Sequence, residues 1–233
     1  MSALPLPRTA ARRILIAAAA VVVALAAVAA LTSSSATAAS RGPHDQPAAG
    51  QVPAPVPVSV DPATTAYLVL DMTNAVCGAS DTCLATVPAA ARLLAKARAA
   101  GALVVYSQTG AAGSAVLPQL APQPADPIVT AHADKFLGTS LDDILSSAGI
   151  KTLVIVGTAV NGAVLYTSFE ADLRGFTVVV ARDGVSAASG FILRYSLFQL
   201  LNQPGATNAD NTPLTPDAVT LSTTSLVTFA AAS

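Results

Sequence analysis

The stretch Lys151–Gly184, KTLVIVGTAVNGAVLYTSFEADLRGFTVVVARDG, restricts the fold of this chain more than any other. Leu153 to Val156 is a short apolar run rich in β-branched residues, the pattern of a strand buried on both faces of a parallel sheet. Gly157 ends it. Asn161 is a good helix N-cap, and from Gly162 the apolar residues Val164, Leu165, Phe169 and Leu173 recur at helical spacing until Gly175 supplies a stop. Phe176 to Ala181 reads as a second buried strand. Strand, helix and parallel strand make a right-handed βαβ unit, so the turn Gly157–Gly162 lies at the carboxyl edge of the sheet, where open α/β folds bind ligands. The start of the helix, with its unpaired N–H groups and positive dipole end, suits a catalytic group. Asn161-Gly162-Ala163 stands there.

The N-terminal part does not belong to this fold. Arg8, Arg12 and Arg13 precede an unbroken apolar run from Ile14 to Leu31, then a polar stretch and the small-residue site Ala36-Thr37-Ala38. Residues 1–39 therefore read as a secretory signal; the run also reaches the lower limit for spanning a bilayer, so an uncleaved, membrane-bound anchor is the alternative. Residues 40–58 are rich in Pro and Ala and read as an extended, largely structureless linker. The formal net charge of −1 offers no basic patch for nucleic acid. Residues 59–233 are long enough for one sizeable core and too short for two ordinary domains.

Within that domain Thr65 to Leu70 is the first buried strand, with Asp71 at its end. Such an Asp is either a loop cap that accepts backbone hydrogen bonds or, partly desolvated by Leu70 and Met72, a general acid or base. Cys77 and Cys83 are the only cysteines, and in an exported chain a disulfide between them is the natural expectation; the rival reading makes Cys77 a nucleophile. Two Cys and two scattered His form no ligand set, so no metal is expected, and no cofactor.

Pro88 to Ala100 is a helix, and Ala102 to Tyr106 a strand that brings Ser107 and Gln108 to the same edge as Asp71. Gln108 is either a solvated loop side chain or a substrate-orienting amide. Residues Gly110 to Pro127 form a long Pro-rich loop of the length typical of lids and binding loops. Ile128 to Thr130 is a short strand, and Thr139 caps a helix that ends near Gly149. Lys135 precedes that helix as either a solvated side chain or a cation that holds Asp71 ionised or stabilises an oxyanion. Asp183 ends its strand at the same edge, Gly190 to Leu201 is a helix with Phe191, Leu193, Leu197 and Leu200 for packing, and Val219 to Leu221 is a last strand. Five or six mostly parallel strands alternating with helices give a three-layer α/β/α sandwich.

Three fragments, AYLVLDMTNAVC, the FxGTxLxxxL pattern at Phe136 to Leu145, and GIKTLVIVGTAVNGAVLYTSFEADLRGF, occur in the order and spacing of the isochorismatase-like hydrolases. Over roughly Ser59 to Phe229 the chain resembles that family, which includes nicotinamidases and other cysteine amidohydrolases. The resemblance implies a Rossmann-like α/β/α hydrolase of a small molecule, commonly a homo-oligomer. It implies an Asp, a Lys and a nucleophilic Cys in the amidohydrolase branch, and a non-proline cis peptide between Thr158 and Ala159 that aims the N–H groups of Ala159 and Ala163 at one point. Asp71 matches the Asp. Ala163 occupies the Cys position, and a methyl group cannot attack a carbonyl. The Lys is displaced: Thr130 stands where the family carries it, and Lys135 adjoins the Phe instead.

The candidate site is therefore Asp71, Lys135 and the backbone of Ala163, with Gln108, Ala159 and Asn161 for substrate. Two functions fit: a hydrolase of the isochorismatase type, which protonates a vinyl ether through Asp71 and needs no thiol, or an inactive relative that binds a small molecule or a protein through the old pocket.

Overall fold

A computed structural model describes residues 50–230. Residues 1–39, read above as a secretory signal, and the first part of the linker lie outside the described residues. In chain order come strand β1 (Val58–Val60), strand β2 (Thr65–Leu70), helix α1 (Asp81–Leu84), helix α2 (Val87–Ala99), strand β3 (Leu103–Gln108) and strand β4 (Ile128–Thr130). Helix α3 (Leu141–Ser147), strand β5 (Thr152–Thr158), helix α4 (Leu165–Leu173), strand β6 (Thr177–Ser186) and helix α5 (Gly190–Leu201) follow. The short strands β7 (Asn202–Gln203), β8 (Ala206–Thr207), β9 (Val219–Ser222) and β10 (Val227–Phe229) complete the fold.

Six strands form the central sheet in the order β4-β3-β2-β5-β6-β9, every neighbouring pair parallel. Side chains alternate along β2, β3, β5 and β6, and both faces of these strands carry buried apolar residues. Ala66, Leu68, Leu70, Leu153, Ile155, Val178 and Val180 join one buried cluster with residues of α3, α4 and α5. Tyr67, Val69, Val104, Tyr106, Val154, Val156 and Val179 join another with α2. Burial on both faces is why these strands read as continuous apolar runs, and it gives the three-layer α/β/α sandwich.

The chain edge expected to be structureless is not so from Val52 onward. Val and Pro alternate there: the prolines keep the backbone extended, and the valines supply N–H groups and apolar side chains. Val52 packs on the core, Val56 N–H donates to Leu221 O at 3.0 Å, and Val58 N–H donates to Leu226 O at 3.1 Å. β1 then pairs with β10.

Three further expectations are corrected. Asn161 does not cap the helix: Val160–Val164 is one wide, π-type turn entered through Ala159, and α4 begins only at Leu165. That extra residue in the turn rotates the helix, so its inward face is Thr167, Ser168, Ala171 and Asp172, while Leu173 is 77% exposed. Asp183 does not end a strand: β6 pairs Val180 with Ile155 and Val185 with Gly157, bulging between them, and Asp183 accepts from Thr224 N–H and Oγ1–H at 2.7 and 2.8 Å. Phe191 does not pack into the core but lies on the surface, 69% exposed.

Candidate active site

The site is built where the carboxyl ends of β2 and β5 pair, at Leu70 and Gly157. Gly157, opposite Leu70, has φ 145, and a Cβ on it would lie 2.3 Å from Leu70 O. Only glycine fits, and its absence of side chain lets the carboxyl ends of both strands meet next to Asp71. Asp71 itself turns out of the sheet in the left-handed region, φ 53, a conformation that Asp tolerates better than most residues. Ser107, across the register from Leu70, holds that turn: its Oγ–H donates to Asp71 Oδ1 at 2.7 Å, and its Oγ accepts from Asp71 N–H at 3.1 Å.

Lys135 completes the pair. Its Nζ lies 2.7 Å from Asp71 Oδ2, with Lys135 fully buried and Asp71 3% exposed. The ammonium also donates to Ala131 O at 3.0 Å and to His132 O. Three N–H groups thus meet three acceptors inside the protein. The turn Ala131–Lys135 folds back on itself, which is how a Lys displaced in sequence reaches the carboxylate.

The backbone at Lys135 is fixed from several sides. Its N–H donates to Thr167 Oγ1 of α4 at 3.2 Å, and its carbonyl accepts from Thr139 Oγ1–H at 2.6 Å. Thr139 Oγ1 in turn accepts from Leu141 N–H at 3.1 Å, bridging the Lys segment to α3, but the N-cap position is taken by Ser140, which makes no side-chain cap bond, and not by Thr139 as expected. The ring of the neighbouring Phe136 stacks on Phe176 with centroids 6.0 Å apart and lies 5.0 Å beneath the Arg174 guanidinium. Arg174 is itself held by Glu170 and Asp142, at 2.7 and 2.8 Å. Thr167 and Ser107 were not among the expected site residues. Ser107 was placed at the edge by sequence without a role; Thr167 carries no sequence signal beyond its place one turn after Ala163.

Ala163, 4% exposed, belongs to the same apolar cluster as Leu70 and Phe136, the chain neighbours of Asp71 and Lys135. The peptide bond Thr158–Ala159 is cis. Asn161 is exposed beside it. Gln108 donates through Nε2 to Thr130 Oγ1 at 3.1 Å, its partner in the β3/β4 register. Asp71, Lys135 and Ser107 are thus in direct contact, while Gln108 is engaged with Thr130.

The long loop 110–127 is a fixed wall and not a free lid. Asn74 N–H and Ala75 N–H donate to Ala115 O and Gly113 O at 2.9 and 2.8 Å, and Leu117 N–H donates to Met72 O at 3.0 Å, so the loop is sewn to the residues that follow Asp71. Arg98 ties its far end through Ala121 O and Asp126, at 3.2 and 2.7 Å. The same post-Asp71 segment carries the disulfide Cys77–Cys83, whose Cα atoms are 5.3 Å apart, with both cysteines fully buried. A paired Cys77 is not a nucleophile.

Burial pushes the Asp71 carboxyl above its ordinary value, and the Lys135 and Ser107 hydrogen bonds and the Lys135 charge pull against that without cancelling it. A carboxyl held this way keeps its proton to higher pH than an ordinary Asp does. Among the described residues no group of three or more His, Cys, Asp and Glu is placed to hold a metal ion, and no helix is long and apolar enough to cross a membrane.

Comparison with known proteins bears on the family and the fold. The chain is 32% identical over 110 residues to the secreted isochorismatase effector Isc1 of Verticillium dahliae, a match covering 42% of this chain and 58% of that protein. It is 35% identical over 102 residues to streptothricin hydrolase of Streptomyces noursei, covering 39% of this chain and 40% of that one. The matches thus span less than two thirds of either relative. The fold is shared with a cysteine hydrolase from Pseudomonas syringae pv. phaseolicola, TM-score 0.62 at 21% identity over 74% of this chain and 94% of that one. It is shared also with N-carbamoylsarcosine amidase from Thermoplasma acidophilum, TM-score 0.57 at 24% identity over 69% and 96%. The family model for the isochorismatase domain matches residues 65–210, more than half of the sequence, and the chain belongs to the isochorismatase family of hydrolases.

Proposed function

We propose that this chain is an exported hydrolase that cleaves a vinyl ether in a small molecule, the reaction type named for its isochorismatase relative, with Asp71 as general acid and no thiol. The observation that carries this reading is the buried Asp71–Lys135 pair, at 2.7 Å, together with an Ala at position 163, where the resemblance puts the family's Cys. In this reaction Asp71 gives its proton to the terminal carbon of the vinyl ether, forming a C–H bond and leaving an oxocarbenium ion. Water attacks the ether carbon and returns a proton to Asp71. The hemiketal so formed breaks its C–O bond, giving a ketone and an alcohol with one water consumed.

Each residue has a separate role in that reading. Burial keeps Asp71 able to hold a proton, and Ser107 and Lys135 aim the carboxyl. Lys135 stays a fixed cation, because none of its three N–H groups is left for substrate. The Ala163 methyl supplies no nucleophile. Export is supported by the leader, by the disulfide and by the relative described as secreted. The test is to supply isochorismate and, separately, nicotinamide and N-carbamoylsarcosine to the exported protein. Pyruvate from the first with no ammonia from the amides is the expected result. Ammonia without pyruvate would replace this reading with amide hydrolysis.

A further inference from the structure

Outside the Asp71 site, the described residues leave a second concentration of charge without a partner. Arg182, half-buried in the bulge of β6, and Arg194, on the first turns of α5, line one cleft of about 460 Å³. Neither guanidinium has a carboxylate, hydroxyl or carbonyl partner among the described residues, in contrast to Arg98 and Arg174, which are both ion-paired. The acid adjacent to Arg182 in the chain, Asp183, has both oxygens committed to Thr224.

The position of Arg194 sharpens the imbalance. A Cβ on Gly190 would lie 3.5 Å from Arg194 Nη1, so the guanidinium curls back over the N-terminus of α5. That end of the helix carries the positive half of the dipole, and its first turn holds no acidic residue. Two guanidinium groups therefore share one cleft whose other lining residues carry no charge, while the α5 N-terminus lines a neighbouring recess with Arg182 and Asp183. A carboxylate or phosphate placed between the two guanidinium groups would accept charge-assisted, fork-shaped hydrogen bonds from both arginines.

The rest of the cleft defines the body of the ligand. Leu193 and Leu197 form its apolar wall. Arg194 also lines an adjoining recess of about 230 Å³ with Phe191 and Tyr195, whose rings stack with centroids 6.2 Å apart and are 69% and 53% exposed. A flat apolar group fits against such rings, and the cleft volume is within the roughly 300–1,000 Å³ of small-molecule sites.

We propose that this cleft, which shares no residue with the Asp71–Lys135 site, binds a small aromatic or other flat organic anion through Arg182 and Arg194. The test is isothermal titration of the exported protein at low salt with benzoate, phenyl phosphate and neutral benzamide. Binding of one or both anions and not of benzamide is expected, the stronger anion identifying the head group. Arg182→Gln and Arg194→Gln should each weaken that binding by about tenfold or more. Arg92→Gln, on α2, and Asp71→Asn should bind as the unaltered protein does. No anion binding, binding of benzamide equal to that of the anions, or binding untouched by both cleft variants would overturn the proposal. Anion binding altered in either direction by Asp71→Asn would also overturn it, by moving the anion to the Asp71 site.

Discussion

Lys135 reaches Asp71 by folding back over its own turn: the ammonium that donates to Asp71 Oδ2 at 2.7 Å also donates to the carbonyls of Ala131 and His132. A residue out of place in sequence is therefore in place in space. Its one charged partner among the described residues is the carboxyl whose proton the proposed chemistry uses.

Replacing Lys135 with Met tests that coupling through pH. Burial raises the Asp71 carboxyl, while Lys135 pulls it down. A general acid works while protonated, so turnover is present below the Asp71 value and lost as pH rises through it. Removing the ammonium takes away the opposing pull and raises the carboxyl further. The alkaline limb of kcat/KM should move to higher pH in Lys135→Met, and movement to lower pH would show that Lys135 does not act on Asp71 in this way.

Asp172 makes a separate prediction about stability. It is 5% exposed, both carboxylate oxygens lack a hydrogen-bond partner among the described residues, and burial first and the Asp217 charge second push its value up to about 8. The unfolded chain loses this proton near the ordinary Asp value of about 4, and the folded chain keeps it until about 8. Between those values the folded state binds more protons, so stability falls as pH rises through the window and levels off above it. Asp172→Asn, which cannot ionise, should be more stable than the unaltered protein at pH 8 and nearly equal to it at pH 4. Denaturant titrations at the two pH values measure this; an equal difference at both would refute the assignment.

The disulfide closes the loop that follows Asp71, with Cys77 and Cys83 separated by six in sequence. Closing so short a loop stabilises by about 2 kcal/mol in the chain-entropy model. Unfolding in denaturant should therefore shift to a lower midpoint when reductant is present. A midpoint indifferent to reductant would show that the bridge contributes nothing to the folded state.

The parts of this structure that sequence reveals and conceals differ for physical reasons. β2, β5 and β6 are buried on both faces, so they appear as unbroken apolar runs such as Leu153 to Val156. Asp71 is marked by standing at the end of one, and the cysteine pair by its spacing. The phase of α4 was concealed because periodicity assumes an ordinary helical turn, and Val160–Val164 is a wider one that brings Thr167 and Asp172 inward and Leu173 out. Gln108 allowed two readings from sequence, a solvated side chain or a substrate-orienting amide, and sequence did not reveal that the β3/β4 register sets it opposite Thr130, whose Oγ1 accepts one of its amide N–H groups. The reach of Lys135 was equally unreadable, because it depends on how four residues turn and not on which residues they are.

The central claim is that Asp71, and not a group at position 163, carries the reaction. The measurement is kcat for pyruvate release by Asp71→Asn and Ala163→Ser beside the unaltered protein. Asn keeps the shape of Asp71 but supplies no acid, so a loss of about 10²-fold or more is expected, the usual worth of a positioned general acid. Ala163→Ser should stay within about threefold, since it adds one hydroxyl oxygen at a position with no part in the proton transfer. Undiminished pyruvate release by Asp71→Asn would contradict the account.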